Sequence, residues 1–311
     1  MRRLSLLVPV ALFALPWVLA RHQLSILTDL LIFGLFALSL DLMMGYTGLV
    51  SFGHAAYFGL GAYTSALLLL NFGVPIPVAV VAGGVVAAVI AWPVGYISTR
   101  ARDIYFAMLT LAFAQLLYTV AYKWRDLTGG SDGIAGVPKT GLWWGAPGLA
   151  SPTAFYLVVL VTFLVSFALC RVLVRSPFGR ALLAIRENER KFATLGQDPA
   201  RFKIAVFVIA GFFAGLAGGL FAPFRGFASP ETMFWVLSGQ GLMMVIVGGI
   251  GTLVGPPIGA IVFILLQEIL SSYTEHWMIF TGLVFVLMVL FLPGGIVGAT
   301  RAWLGVKGAS S

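Results

Sequence analysis

An all-α, polytopic transmembrane bundle of about ten helices is the fold class this sequence predicts, because apolar runs of about 20 residues, enough to span a bilayer core, recur along its length. Hydrophobic residues fill 60% of the 311 positions and charged residues only 10%. Mean hydropathy is +1.02. A soluble domain carries about 25% charged residues, so composition alone excludes one. The few charges sit at the edges of apolar runs, and ten of the thirty Lys, Arg, Asp and Glu residues fall within 175–203. The net charge of +8 therefore reports membrane orientation rather than nucleic-acid binding.

The first predicted span, 4–20, follows Met1-Arg2-Arg3 and ends in Val18-Leu19-Ala20. That pattern also suits a cleaved signal peptide; we read it as a retained first helix. Spans follow at 24–40, 42–70, 75–98 and 104–122. Residues 123–152 form an external loop rich in Gly and Pro, whose Trp124, Trp143 and Trp144 suit anchors at the membrane interface. A further span, 153–174, leads into the polar segment 175–203, and the remaining spans are 204–222, 232–250, 252–270 and 276–292. With the N-terminus inside, fourteen of the nineteen Lys and Arg residues fall on the cytoplasmic side. Arg21, Lys123, Arg125, Lys139 and Arg225 remain outside. This asymmetry puts both termini and 175–203 in the cytoplasm.

Two stretches are denser in glycine than ordinary spanning helices. One holds Gly45, Gly48, Ser51, Gly53 and His54; the other holds Gly248, Gly249 and Gly251 and runs on to Gly255-Pro256-Pro257. Interrupted helices at membrane depth survive where protein or a water-filled cavity covers the freed backbone, so these eight residues are candidates for a translocation path. Close packing of helices through small residues is the other reading. Leu42-Met43-Met44 and Leu242-Met243-Met244 each precede a glycine-rich stretch, which hints at two related halves in parallel orientation.

In the polar segment, Ser176-Pro177 reads as an N-cap with Pro at the first helical position. Ala181, Leu182, Ile185, Phe192 and Leu195 keep helical spacing, Gly196 ends the helix, and Asp198-Pro199 starts the next. The opposite face carries Arg186, Glu187, Glu189, Arg190 and Lys191. A capped helix with a mixed-sign face suits docking on a soluble protein; the alternative is a solvated loop held at anionic headgroups.

These residues resemble the permeases of bacterial ABC importers of the branched-chain amino acid type, LivM-like. The resemblance rests on Gly45 to Tyr63, on Ile104-Tyr105-Phe106-Ala107-Met108-Leu109-Thr110-Leu111-Ala112, on Leu127 to Gly133 in the external loop, and on Ser176 to Glu189. It covers nearly the whole chain after the first helix and implies one permease domain, 1–311. It also implies a second, related permease, two cytoplasmic ATPase subunits, an external solute-binding protein and a location in the bacterial inner membrane. The coupling role then falls on Ser176, Pro177, Phe178, Gly179, Arg180, Ala184, Arg186, Glu187, Asn188 and Gly196. Thr128, Gly129, Gly130, Ser131 and Asp132 become a gate or landing surface for the binding protein.

The chain contains no G-x-x-x-x-G-K-[ST] phosphate-binding loop, so ATP hydrolysis is assigned to partner subunits and no cofactor is expected here. Asp29 and Glu268 fall near outer span ends, Asp41 at an inner end and His54 within a span, with no evident pairing among them. A proton-coupled carrier calls for a relay of buried carboxylates, and an intramembrane enzyme for paired His, Asp or Glu at helical spacing. Neither constellation is present in the sequence. Urea or short amides, which related permeases carry, are not separated from branched-chain amino acids by sequence. Cys170 has no companion for a disulfide or a metal site and reads as a small apolar residue.

Overall fold

The computed structural model describes residues 12, 13, 15–17, 19–101, 103–144, 148, 149, 151–274, 276–292 and 294–303. Most of the predicted first span, together with Arg2, Arg3, Arg102 and Lys307 of the charge argument, lies outside these residues. Among the described residues, eight helices are long and apolar enough to cross a membrane by length and composition. The only strands are two-residue pieces, so the all-α expectation holds for the described chain.

The helices are α1 (Arg21–Thr47), α2 (His54–Phe72), α3 (Ile76–Ser98), α4 (Asp103–Lys123), α5 (Pro152–Arg175), α6 (Pro177–Thr194), α7 (Pro199–Arg225), α8 (Trp235–Gly248), α9 (Gly255–Tyr273), α10 (Trp277–Phe291) and α11 (Gly295–Trp303). One end of the bundle carries the loop 123–152 and is called the loop end. The opposite end carries α6 and is called the segment end.

Several boundaries move, for local reasons. The expected spans 24–40 and 42–70 divide instead into α1, which runs on to Thr47, and α2, which starts at His54. Gly48, at φ 75°, closes α1 in a left-handed cap that β-carbon-bearing residues resist. The expected span 232–250 contains only the 14 residues of α8, about 21 Å at helical rise, which is too short to cross. It is preceded by a 3-10 turn, Pro230–Met233. α7 starts at Pro199, as the Asp198-Pro199 pair predicts, and runs into the expected span 204–222 without a break: Asp198 Oδ1 accepts the Ala200 N–H at 3.0 Å and Pro199 presets the first turn.

The centre of the bundle is α2, α3 and α7 welded through glycines. A Cβ on Gly61 would overlap the Gly215 carbonyl, one on Gly215 would lie 2.8 Å from the Gly83 carbonyl oxygen, and one on Gly218 would overlap the Phe58 carbonyl. Backbones approach here as closely as membrane helices can, so dispersion contact replaces the hydrophobic drive that lipid does not supply. Tyr57, Phe106 and Phe207 seal the flank edge to face.

α1 runs antiparallel to α2 and α9. Ser39 pairs with His54, Phe36 packs on Phe58, Gly34 faces Pro257, and His22 lies 3.6 Å from Glu268. α8 descends alongside α1, with Gly241 against Phe36 and Leu40, and Gly251 against Gly45. The two Leu-Met-Met tripeptides therefore sit on helices running toward the same end, and the helices that follow both run back. At the loop end, Ile134–Ala135 pairs antiparallel with Phe227–Ala228, tying the 123–152 loop to the exit of α7. Asp29 and Arg225 meet there at 2.7 Å. Asp29 and Glu268 thus both have partners, which corrects the expectation that none was paired.

Candidate functional site

The segment end brings together what the sequence separates by two hundred residues. α6 starts as expected: Ser176 Oγ accepts the Gly179 N–H at 3.4 Å, and Pro177 occupies the first helical position. Leu182, Ile185 and Phe192 are buried and anchor it to the bundle. It is not one helix but two. Asn188 adopts an extended conformation (φ −158°, ψ 96°), and its Oδ1 accepts the Lys191 N–H at 3.0 Å, capping a second short helix. Gly196, at φ 78°, ends the segment.

Arg180, Ala184 and Glu187 recur at helical spacing and are exposed, with Leu183 beside them; Arg190 and Lys191 extend this stripe past the break. Ser176 and Phe178 are half-buried and Gly179 is buried, with Phe178 stacked on Phe202. Two details depart from the expected division of faces. Leu195, placed on the apolar face by spacing, is 75% exposed because the chain has already left the helix there. Arg186, placed on the solvent face, reaches inward and donates from Nη1 to the Gly45 carbonyl.

Both glycine-rich connectors end at that contact. The 45–53 connector leaves α1 at the segment end and rises to the level of Ser39, where His54 Nε2 lies 2.8 Å from Ser39 Oγ. Gly53 sits so close to Thr110 that a side chain would strike its backbone. Ser51 is buried and accepts the Gly53 N–H at 3.3 Å. Ala55 N–H donates to Ser238 Oγ of α8 at 2.8 Å, so the start of α2 is capped from another helix, well inside the bundle.

The 248–255 connector is held mainly by one carboxylate. Asp41 Oδ1 accepts the Gly251 N–H at 2.7 Å. Thr252 Oγ1 donates to the Gly249 carbonyl at 2.7 Å and accepts the Gly255 N–H at 2.9 Å, which closes the turn. Gly249 and Gly251 have φ of 120° and 72°, conformations that L side chains rarely adopt. Gly248 is packed against the Gly255 carbonyl.

Between the first connector, the start of α4 and the inward face of α6 lies a cavity of about 650 Å³. Gly48, Val50 and Phe52 line one wall, Asp103 and Phe106 another, and Arg186 to Arg190 with Lys203 the third. Lys203 is only 6% exposed and is neutralised by Glu189 Oε1 at 2.7 Å. Of the eight path candidates, only Gly48 faces this cavity. Gly45, Gly248, Gly249 and Gly251 shape the connectors around it, while Ser51, Gly53 and His54 are packed deeper, with His54 beside Phe36 and Tyr57.

At the loop end, Thr128 and Gly130 are buried, and Thr128 Oγ1 donates to the Trp124 carbonyl at 2.7 Å. Gly129 and Gly130 both have positive φ, and Ser131 and Asp132 alone of the five point outward. Lys139 lies over Phe155 and Phe224, and burial pushes its pKa down. Trp124, Trp143 and Trp144 are exposed, as interfacial anchors require.

Sequence reading missed the grip of Asp41 on Gly251, the Ser39 and Ser238 contacts and the Lys203–Glu189 pair. Asp41 carried a signal: a carboxylate at the end of an apolar helix beside glycine-rich backbone has free N–H donors within reach. The two serines carried none, since their partners come from distant segments.

The family described as branched-chain amino acid transport system / permease component matches residues 23–292. The chain belongs to this family. The permease is 31% identical to the high-affinity branched-chain amino acid transport system permease protein LivM of Escherichia coli K12, over 96% of this chain and 75% of that protein. Its identity to the Salmonella typhimurium LivM is 30%, over 94% of this chain and 74% of the relative. To the LivH permease of Salmonella typhimurium it is 27% identical, over 86% of this chain and 91% of that protein. No solved structure matches the permease. It is a multi-pass membrane protein, and both permease types of the branched-chain systems are its relatives.

Proposed function

We propose that this permease is the membrane subunit of a bacterial ABC importer for branched-chain amino acids, seated in the inner membrane with both termini and α6 in the cytoplasm. The observation that carries the reading is the family match across residues 23–292, joined to near-complete coverage by LivM relatives. The excess of Lys and Arg at the segment end supports the orientation.

In this reading a second, homologous permease completes the path, and an external solute-binding protein delivers substrate at the loop end, where Ser131 and Asp132 are presented. Two ATPase subunits dock on the exposed stripe Arg180, Ala184, Glu187 and Lys191. ATP is hydrolysed by those subunits, and this chain holds no cofactor of its own. ATP-driven approach of the ATPases displaces α6, and the bundle opens alternately to either side. The cavity beneath Gly48 is the cytoplasmic vestibule. Its wall carries Arg186, Arg190 and Lys203 against Asp103, Glu187 and Glu189, a balance of charge that suits a zwitterion leaving the path.

The test is ATP hydrolysis and uptake by the complex reconstituted in liposomes from this permease and the permease, ATPase and binding-protein subunits encoded beside it. Leucine, urea and acetamide are compared. The reading predicts stimulation by leucine alone, abolished by Glu187→Lys. Stimulation by urea or acetamide alone overturns the substrate, and ATP-independent uptake driven by a pH gradient overturns the importer.

A further inference from the structure

The inward turn of Arg186 gives α6 two separate tasks. Its exposed stripe, from Arg180 through Ala184 to Lys191, is free to meet a partner, and Glu187 within it also borders the cavity. One residue before Glu187, the Arg186 side chain points the other way, into the junction of the connectors. Its guanidinium donates to the Gly45 carbonyl, its stem lies 3.5 Å from where a Gly48 Cβ would be, and Nη1 lies 3.4 Å from where a Gly251 Cβ would be. Asp41 holds the same Gly251 from the other side, accepting its N–H at 2.7 Å. One side chain therefore bonds the end of α1 and lies beside both connectors.

We propose that Arg186 is a positioning residue that clasps both glycine-rich connectors to α6, so that movement of the docking stripe is transmitted directly to the wall of the cavity. The proposal rests on the importer reading and adds to it the point at which force enters the membrane domain. Three features fit a transmission point rather than a docking contact. The guanidinium bonds the end of α1 even though the side chain as a whole stays solvent-exposed. Its acceptor is a backbone carbonyl at the end of α1, where carbonyls are unsatisfied by the helix and a cation is favoured. The break at Asn188 lies immediately beyond it, so residues 177–187 move as a unit that ends at the clasp. Lysine substitutes only in part, because its ammonium can replace the single bond to the Gly45 carbonyl but not the flat guanidinium packed beside Gly251.

The experiment measures ATP hydrolysed per leucine imported in the reconstituted complex, together with the amount of ATPase subunit that co-purifies. Arg186→Met is expected to retain the ATPase subunits while raising the ATP-to-leucine ratio about tenfold, and Arg186→Lys to restore part of the coupling. Loss of the ATPase subunits from Arg186→Met makes Arg186 a docking residue and overturns the proposal, as does an unchanged ratio. If Arg186→Met does not insert, Asp41→Asn, which keeps the side-chain shape and weakens the charged grip on the Gly251 N–H, decides instead. It is expected to raise the ratio about threefold, and no rise overturns the clasp. Wild-type complex that fails to hydrolyse ATP in response to leucine sinks the importer reading itself, a distinct result from intact wild-type coupling with an unchanged variant.

Discussion

Two regions of this permease are rich in glycine for opposite reasons. In the α2–α3–α7 weld, glycines lie inside regular helices and remove side chains so that backbones touch: Gly61, Gly83, Gly215 and Gly218 each face another helix's main chain. In the connectors, Gly48, Gly249 and Gly251 have positive φ and remove the helix itself. The first arrangement is closely packed and buried. The second leaves backbone donors that Asp41, Ser51 and Thr252 must satisfy, beside a cavity of about 650 Å³. Glycine content alone therefore does not mark a path in a membrane protein; its conformation and what it faces do.

The contrast breaks first at the weld. Gly218→Val puts a branched side chain into the Phe58 carbonyl, costs about 3 kcal/mol or more, and is expected to abolish a monodisperse peak in size-exclusion chromatography. At the cavity wall the expected cost is smaller. Lys203→Met leaves Glu189 without its partner; Glu189 is 34% exposed, so the loss is limited to about 2 kcal/mol, read as a lowered Tm, and Glu189→Gln in the same chain recovers part of it. Gly251→Ala forces φ 72° on a residue with a Cβ, at about 1 to 2 kcal/mol. The protein is expected to assemble but to transport leucine more slowly, because the strain falls on the clasped connector. The mildest change is Gly196→Ala: φ is 78° but nothing lies within 4 Å, so about 1 kcal/mol of local strain is expected without loss of transport.

Much of this was legible in the sequence, and the exceptions have a common cause. Spans bounded by charge or proline, such as α3, α4 and α5, fall within two residues of expectation, as do the Ser176 and Asp198 caps, because hydropathy and capping are local. The breaks at Gly48 and before α8 were misplaced because hydropathy runs on without a dip through Leu49-Val50 and Phe234-Trp235; what stops those helices is backbone conformation. The site was legible as a set of regions but not as contacts. That Arg186 turns inward depends on Gly45 lying beneath it, 141 residues away in the chain. His54, one of the eight path candidates, hydrogen-bonds Ser39 of the neighbouring helix and packs on Phe36 and Tyr57, partners that helical spacing does not disclose.

The most direct test of the contrast uses the chain's single cysteine, Cys170, which is buried and gives little background labelling. Val50→Cys in the first connector and Ala214→Cys in the weld are each placed in membrane vesicles and exposed from the cytoplasmic face to a charged, membrane-impermeant maleimide. The account predicts that Val50→Cys reacts, and that its rate changes when ATP and vanadate trap the ATPases, while Ala214→Cys stays unlabelled throughout. Equal labelling of the two positions, or a Val50→Cys rate indifferent to the trapped state, contradicts a hydrated connector that moves beside a closely packed core.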